Sequence, residues 1–127
     1  MKNYFLKKLR TKMENIEKYC LFENCNANEA IEKIITNYEN ERLVFIVNKK
    51  YKILGTLSEG DIIRALLVNK NIDNIKVTSI MNKSFKFMLN KNQAEARKLV
   101  KKFNITLIPV VNKNLKIKSV IRLKDII

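Results

Sequence analysis

The sequence has no histidine and no tryptophan, and only two glycines, one proline and two cysteines. Without histidine there are no Ser–His–Asp or Cys–His pairs, no imidazole metal ligands and no imidazole acid–base chemistry. Two glycines cannot build a GxGxxG turn or a P-loop. Cys20 and Cys25 stand five positions apart with no second pair to complete a zinc site. They read as reduced thiols of a cytosolic protein, with a local disulfide as the other reading. No apolar run approaches the roughly 18 residues that span a bilayer. The opening FLKKLRTKM is charged too early for a signal-peptide core.

What is present is a globular composition, 46% apolar and 30% charged over 127 residues. That length suits one compact domain or two small fused units. The formal charge is +14 and unevenly placed. Residues 1–63 carry 11 basic and 9 acidic groups, and residues 64–127 carry 15 and 3. Such an excess favours anionic partners, or else a solvated lysine-rich surface shared with a compositional bias toward Lys, Asn and Ile.

Residues 1–19 read as an amphipathic helix with Phe5, Leu6, Leu9, Met13 and Ile16 on one face. Cys20–Phe22 is a short strand-like run. Asn26 and Asn28 are candidate N-caps for a helix over 29–38, and Leu43–Val47 reads as a buried strand. Asn48-Lys49-Lys50 is a turn, so Tyr51–Leu57 should complete a hairpin. Ser58 caps a helix over 61–68, and a polar connector follows. The pattern then returns. Val77–Met81 is apolar with polar interruptions, Phe85–Leu89 resembles a strand, and Gln93–Phe103 a helix. Strands over 106–111 and 115–121 flank the turn at 112–114, and residues 125–127 begin a helix. Phe45 and Phe103 are expected in the core. Phe85 and Phe87 either pack as a sheet face or stack a base.

RLVFIVNKKYKILGTLSEGDII (42–63) aligns without a gap on TLIPVVNKNLKIKSVIRLKDII (106–127), at an offset of 64. Val47, Asn48, Lys49, Lys52, Ile53, Asp61, Ile62 and Ile63 recur identically. The fold class expected is mixed α/β: two pseudo-twofold-related β-α-β-β-α repeats packed through their sheets, after an N-terminal helix. The expected units are residues 1–19 (helix), 20–76 (first repeat) and 77–127 (second repeat). A unit of about 60 residues has a marginal core alone, so the two should bury their sheets against each other.

These features resemble a tandem pair of CBS domains, a Bateman module. The residues that carry the resemblance are Ile53-Leu54-Gly55-Thr56-Leu57-Ser58-Glu59-Gly60-Asp61-Ile62, the linker Val77-Thr78-Ser79-Ile80-Met81-Asn82, and Leu107-Ile108-Pro109-Val110-Val111. GTLSEGDIIRALL followed by V-x-x-I-M-N is further similar to CBS pairs fused ahead of sugar-phosphate nucleotidyltransferases. The chain lacks the Gly-rich loop and acidic metal ligands of such an enzyme. A regulatory module is therefore expected here, not a catalyst, and no catalytic or metal residue is assigned. The break inside the last helix suggests an excised piece, with a catalytic domain to follow.

The resemblance implies an adenosine-containing ligand (AMP, ADP or ATP) between the repeats, with no cofactor required. A carboxylate in the first turn of a helix accepts hydrogen bonds from ribose hydroxyls. A hydroxyl three residues earlier caps the helix and donates to phosphate, and the helix dipole favours the anion. In the first repeat Asp61, Ser58, Arg64 and Gly55 take these places: ribose, cap and phosphate, phosphate, and room for close approach. Ser58 and Asp61 equally serve as a helix cap alone. In the second repeat Asp125 remains, but Arg122 replaces the hydroxyl and Ser119 the glycine. Arg122 either binds phosphate or fills the cleft, so the second site reads as degenerate. The structural alternative is a dimerisation module with no ligand. A homodimer is expected through Ile62, Ile63, Leu66 and Leu67, with Phe5, Leu9 and Met13 covering part of that face. Nucleic acid is disfavoured, since no helix-turn-helix, RNP or zinc-finger pattern accompanies the charge. A cytoplasmic location is expected.

Overall fold

The computed structural model describes residues 16–36 and 41–126, with Asp125 given by its backbone alone. Phe5, Leu9 and Met13, and so most of the expected N-terminal helix, lie outside the described residues. Its last turn is present, and Ile16 and Tyr19 are buried there.

Strand β1 (Cys20–Phe22) leads into helix α1 (Ala27–Thr36). Of the two candidate caps, Asn26 does the work. Its Oδ1 accepts from the Glu29 backbone N–H at 2.9 Å, and the Glu29 carboxylate accepts from the Asn26 N–H at 3.3 Å. Strands β2 (Leu43–Val47) and β3 (Ile53–Ser58) form the expected antiparallel hairpin, and β1 joins β2 in parallel. Helix α2 (Glu59–Val68) follows β3 directly. A 3-10 turn (Ile72–Asn74) and the short helix α3 (Val77–Ile80) make the connector. Helix α4 (Gln93–Phe103) is capped by Asn92 on the Glu95 N–H at 3.1 Å and ends at Asn104 in the left-handed region. Strands β4 (Leu107–Val111) and β5 (Ile117–Arg122) form the second hairpin, followed by a 3-10 turn (Leu123–Asp125).

Phe85–Leu89 is not a strand; it touches β4 by a single parallel bridge, Met88 to Val110. The reason is Pro109. Met88 N–H donates to the Pro109 carbonyl at 3.0 Å, so the missing N–H of Pro109 faces that same edge. In the first repeat, Phe45 stands at the equivalent place and donates to the Tyr19 carbonyl at 2.7 Å, which anchors β1. The second repeat also differs at its end, where a 3-10 turn replaces the first turn of the expected helix. Ile126 is buried there as Ile62 is in the first repeat.

Among the described residues three apolar clusters hold the fold. One lies between the first sheet and its helices (Val44, Ile46, Leu57, Ile62, Ala30, Val77). One lies under α4 (Met88, Ala96, Ile108, Val110, Ile121, Ile126). The third joins the two sheets, with Phe45, Val47 and Ile53 from one hairpin and Leu107, Val111 and Ile117 from the other. Phe85 packs at the edge of this third cluster, while Phe87 is exposed and its ring lies 6.0 Å from that of Phe85. Phe103, expected in the core, is 39% exposed at the end of α4, where the Lys86 and Lys102 ammonium groups lie over its ring at 4.4 and 5.4 Å.

The pseudo-twofold is visible in single hydrogen bonds. Ile53 N–H donates to the Leu115 carbonyl and Ile117 N–H to the Tyr51 carbonyl, both at 2.9 Å. Each pair maps onto the other at the repeat offset. Asn48 and Asn112 close identical turns, each Oδ1 accepting two backbone N–H groups (Lys50 and Lys52; Asn114 and Lys116). Tyr51 and Leu115 both adopt φ near +60° (62° and 63°) at the tips. Bulky residues rarely accept that conformation, and here the paired turns impose it.

Candidate functional site

The first-repeat candidates gather at the junction of β3 and α2. Ser58 is the N-cap, with Oγ accepting from the Asp61 N–H at 3.1 Å. Asp61 Oδ2 accepts from the Ser58 N–H at 2.9 Å, which completes a capping box. Asp61 Oδ1 accepts from Arg64 Nη2 at 2.6 Å, a charge-assisted bond between side chains 24% and 70% exposed. The Arg64 guanidinium folds back over the first turn: a Cβ on Gly60 would stand 3.4 Å from Arg64 Nη1. Both carboxylate oxygens of Asp61 are thus engaged, one by the backbone and one by an exposed cation. Only the second can be given to a ligand without breaking the capping box.

Gly55 has a different occupant from the one expected. A Cβ there would meet Met81 Cγ and Sδ at 2.8 Å and the Asn82 carbonyl oxygen at 3.0 Å. The missing side chain admits the chain's own connector. Asn82 bonds Thr56 in both directions there, at 2.7 and 3.0 Å. This stretch therefore packs against β3 at Gly55 and Thr56, just before Ser58 in the chain.

Two neighbours were not singled out from sequence. Arg42 pairs with Glu59 at 3.6 Å, and its carbonyl accepts from the Glu59 N–H at 3.0 Å. Beside it, Glu41 is 4% exposed, and its Oε2 has no hydrogen-bond partner among the described residues. The only sequence signal for Glu41 was a carboxylate next to a buried strand, which is indistinguishable from a solvated loop residue.

The second repeat does not reproduce this arrangement. Arg122 precedes a 3-10 turn and makes no capping bond, and the Asp125 side chain lies outside the described residues. Ser119 stands where the first repeat has Gly55. It is buried, and its Oγ has no hydrogen-bond partner among the described residues.

The thiols are free. Burial, the main cause, pushes the Cys20 thiol up to about 12, and burial together with the Glu29 carboxylate raises that of Cys25. Among the described residues no three His, Cys, Asp or Glu side chains cluster as metal ligands, and no helix is long and apolar enough to cross a membrane.

Residues 14–68 match the family model of the CBS domain. No curated protein matches the sequence. The fold is that of solved CBS-domain proteins. A CBS domain protein from Pyrobaculum aerophilum, complexed with AMP, is 21% identical with a TM-score of 0.70, over 87% of this chain and 88% of that one. A CBS domain-containing protein from Bacillus anthracis is 17% identical with a TM-score of 0.71, over 87% and 82%. The cytosolic domain of the Mg2+ channel MgtE, in complex with ATP, is 19% identical with a TM-score of 0.69, over 94% of this chain and 53% of that one. Both hairpins and the N-terminal end of α2 are thus elements of the CBS-pair architecture.

Proposed function

We propose that this chain is a regulatory module that binds an adenosine-containing nucleotide beside Ser58 and Asp61. The observation that carries the reading is the Asp61 carboxylate. It is fixed by its capping bond to Ser58 while its second oxygen is held only by Arg64. A ribose diol takes that oxygen. The displaced Arg64 swings to the phosphate, which also gains the favourable dipole at the start of α2. Ser58 caps throughout and donates its hydroxyl proton to a phosphate oxygen. The connector at Met81–Asn82 bounds the cleft, and Glu41 supplies an acceptor for an amino or hydroxyl group of the ligand. The AMP and ATP complexes among the similar folds support the ligand class. The second cleft, with Arg122, Ser119 and Asp125, is the weaker one.

The test is thermal unfolding against AMP, ADP and ATP. A ligand at about a hundred times its dissociation constant stabilises the fold by about 2.7 kcal/mol. Asp61→Ala removes most of that gain and Asp125→Ala little of it. Equal loss in both variants would show a working second cleft.

A second reading is favoured by one specific observation. Arg64 already occupies Asp61 Oδ1, so the carboxylate is satisfied with no ligand, as a dimerisation module requires. Absence of any shift with all three nucleotides selects it. In either reading the chain pairs with a second copy through the exposed apolar side chains Ile63, Leu67 and Val68 of α2. Of the side chains expected on that face, Ile62 is wholly buried beneath the helix and Leu66 is half-buried against the same core, while Val68 joins the exposed set. The likeness of residues 55–67 and 77–82 to CBS pairs ahead of sugar-phosphate nucleotidyltransferases supports control of such a fused enzyme in the cytoplasm. Sequencing the gene beyond codon 127 and assaying the encoded protein with and without AMP tests this.

A further inference from the structure

We propose that the end of the molecule where the two hairpins meet binds single-stranded nucleic acid, along a strip of lysines leading into a groove walled by Phe22. This surface lies at the opposite end of β2 and β3 from Ser58, because Leu43 pairs with Ser58 and the turn follows Val47. The proposal is therefore independent of the nucleotide reading.

The pseudo-twofold brings like charges together. Lys52 and Lys116 form an antiparallel bridge, clamped by the reciprocal bonds Ile53 to Leu115 and Ile117 to Tyr51. Like charges directly opposed across strands are unfavourable, and an anionic ligand relieves the repulsion. Lys49 and Lys50 at one tip and Lys113 at the other extend the strip. All five lysines are exposed, and none forms an ion pair among the described residues.

Next to Lys49 and Lys50 a groove of about 830 Å³ is lined by Phe22, Glu23, Asn24 and Asn48. That volume is in the range of small-molecule sites, and the groove is open enough to take a base from one side. Phe22 is 42% exposed and is set by an edge-to-face contact with Tyr51 at 5.6 Å. An exposed ring beside a lysine track is the chemistry of single-strand binding: bases stack while ammonium groups follow the phosphates. An acidic peptide would use the lysines and leave the ring idle, and a membrane surface would not enter a concave groove. Glu23 in the groove wall, and Glu17, which accepts from the Tyr51 hydroxyl at 3.2 Å, keep phosphates away from the Phe22 end. The base is thereby directed to the ring and the backbone to the strip.

The test is fluorescence anisotropy of a labelled single-stranded deoxyadenosine oligomer of about 12 nucleotides, titrated at several salt concentrations. Binding is expected to weaken with salt, with a log–log slope of about −2 to −3.5. Lys52→Gln with Lys116→Gln should flatten that slope by about 1.4. Phe22→Leu keeps the apolar volume and should weaken binding about tenfold with the slope unchanged, and Phe22→Tyr should restore it. The proposal is overturned by no anisotropy change at about 50 mM salt, by a slope indifferent to the lysine pair, or by full binding in Phe22→Leu. Equal affinity for polyglutamate also overturns it and assigns the strip to an acidic protein face.

Discussion

Replacing Gly55 by alanine separates two roles for this glycine, room for a ligand and room for the chain. Gly55 lies in β3 opposite Ile46, and no glycine has positive φ, so alanine meets no backbone strain there. On backbone grounds alone the change would stabilise by about 0.4–1 kcal/mol, by restricting the unfolded chain. The obstacle is local. The new Cβ falls 2.8 Å from Met81 Cγ and Sδ and 3.0 Å from the Asn82 carbonyl oxygen. The thioether can turn away, but the carbonyl is backbone whose neighbouring N–H is tied to Thr56 at 2.7 Å. Overpacking of this kind costs about 1–3 kcal/mol, so the net loss expected is about 1–2 kcal/mol. For a domain of this size that lowers the melting midpoint by roughly 3–12 °C. Urea unfolding followed by far-UV circular dichroism, without nucleotide, reads the loss directly. Met81→Ala removes two of the three close atoms, so the double variant should recover about 0.5–2 kcal/mol relative to additivity. A Gly55→Ala protein as stable as wild type without nucleotide, yet deficient in binding it, would refute the reasoning and return the glycine to the ligand.

Arg64→Gln should leave folding within about 0.5 kcal/mol, since the ion pair is largely exposed; titration with adenosine against AMP should show phosphate selectivity reduced and adenosine binding kept or improved. Ser119→Ala removes a buried hydroxyl that has no partner among the described residues, and should raise stability by about 1 kcal/mol in the same urea assay. Cys20 should resist iodoacetamide at pH 8 in the folded state while Cys25 reacts first, read by mass spectrometry. Because burial raises the folded Cys20 thiol above its unfolded value of 9.0, its contribution to stability is full below pH 9 and lost as pH rises toward about 12; Cys20→Ala should flatten that alkaline limb. Ile63→Glu with Leu67→Glu should give a monomer by light scattering with thermal stability kept, because these side chains are 52% and 77% exposed.

Much of this fold was legible in the chain because its signals are local. The apolar run Leu43–Val47, the Asn-Lys turns and the Asn-x-x-Glu caps each act within a few residues. The run and the turn recur at an offset of 64 and the caps at 66, which told that two units face each other. The Ser58–Asp61 box was legible for the same reason, since a cap is made within one turn. Tertiary structure decided the rest, because the partners are remote in sequence. Glycine at 55 reports close approach in any chain; only packing shows that Met81 and Asn82 do the approaching. Phe85–Leu89 has a strand's composition, but a strand needs a donor on its neighbour, and Pro109 lacks one on the facing edge. Phe103 has the composition of a core residue, yet the end of α4 leaves it beside Lys86 and Lys102. Lys52 and Lys116 are unremarkable 64 positions apart, and the pseudo-twofold alone sets them side by side.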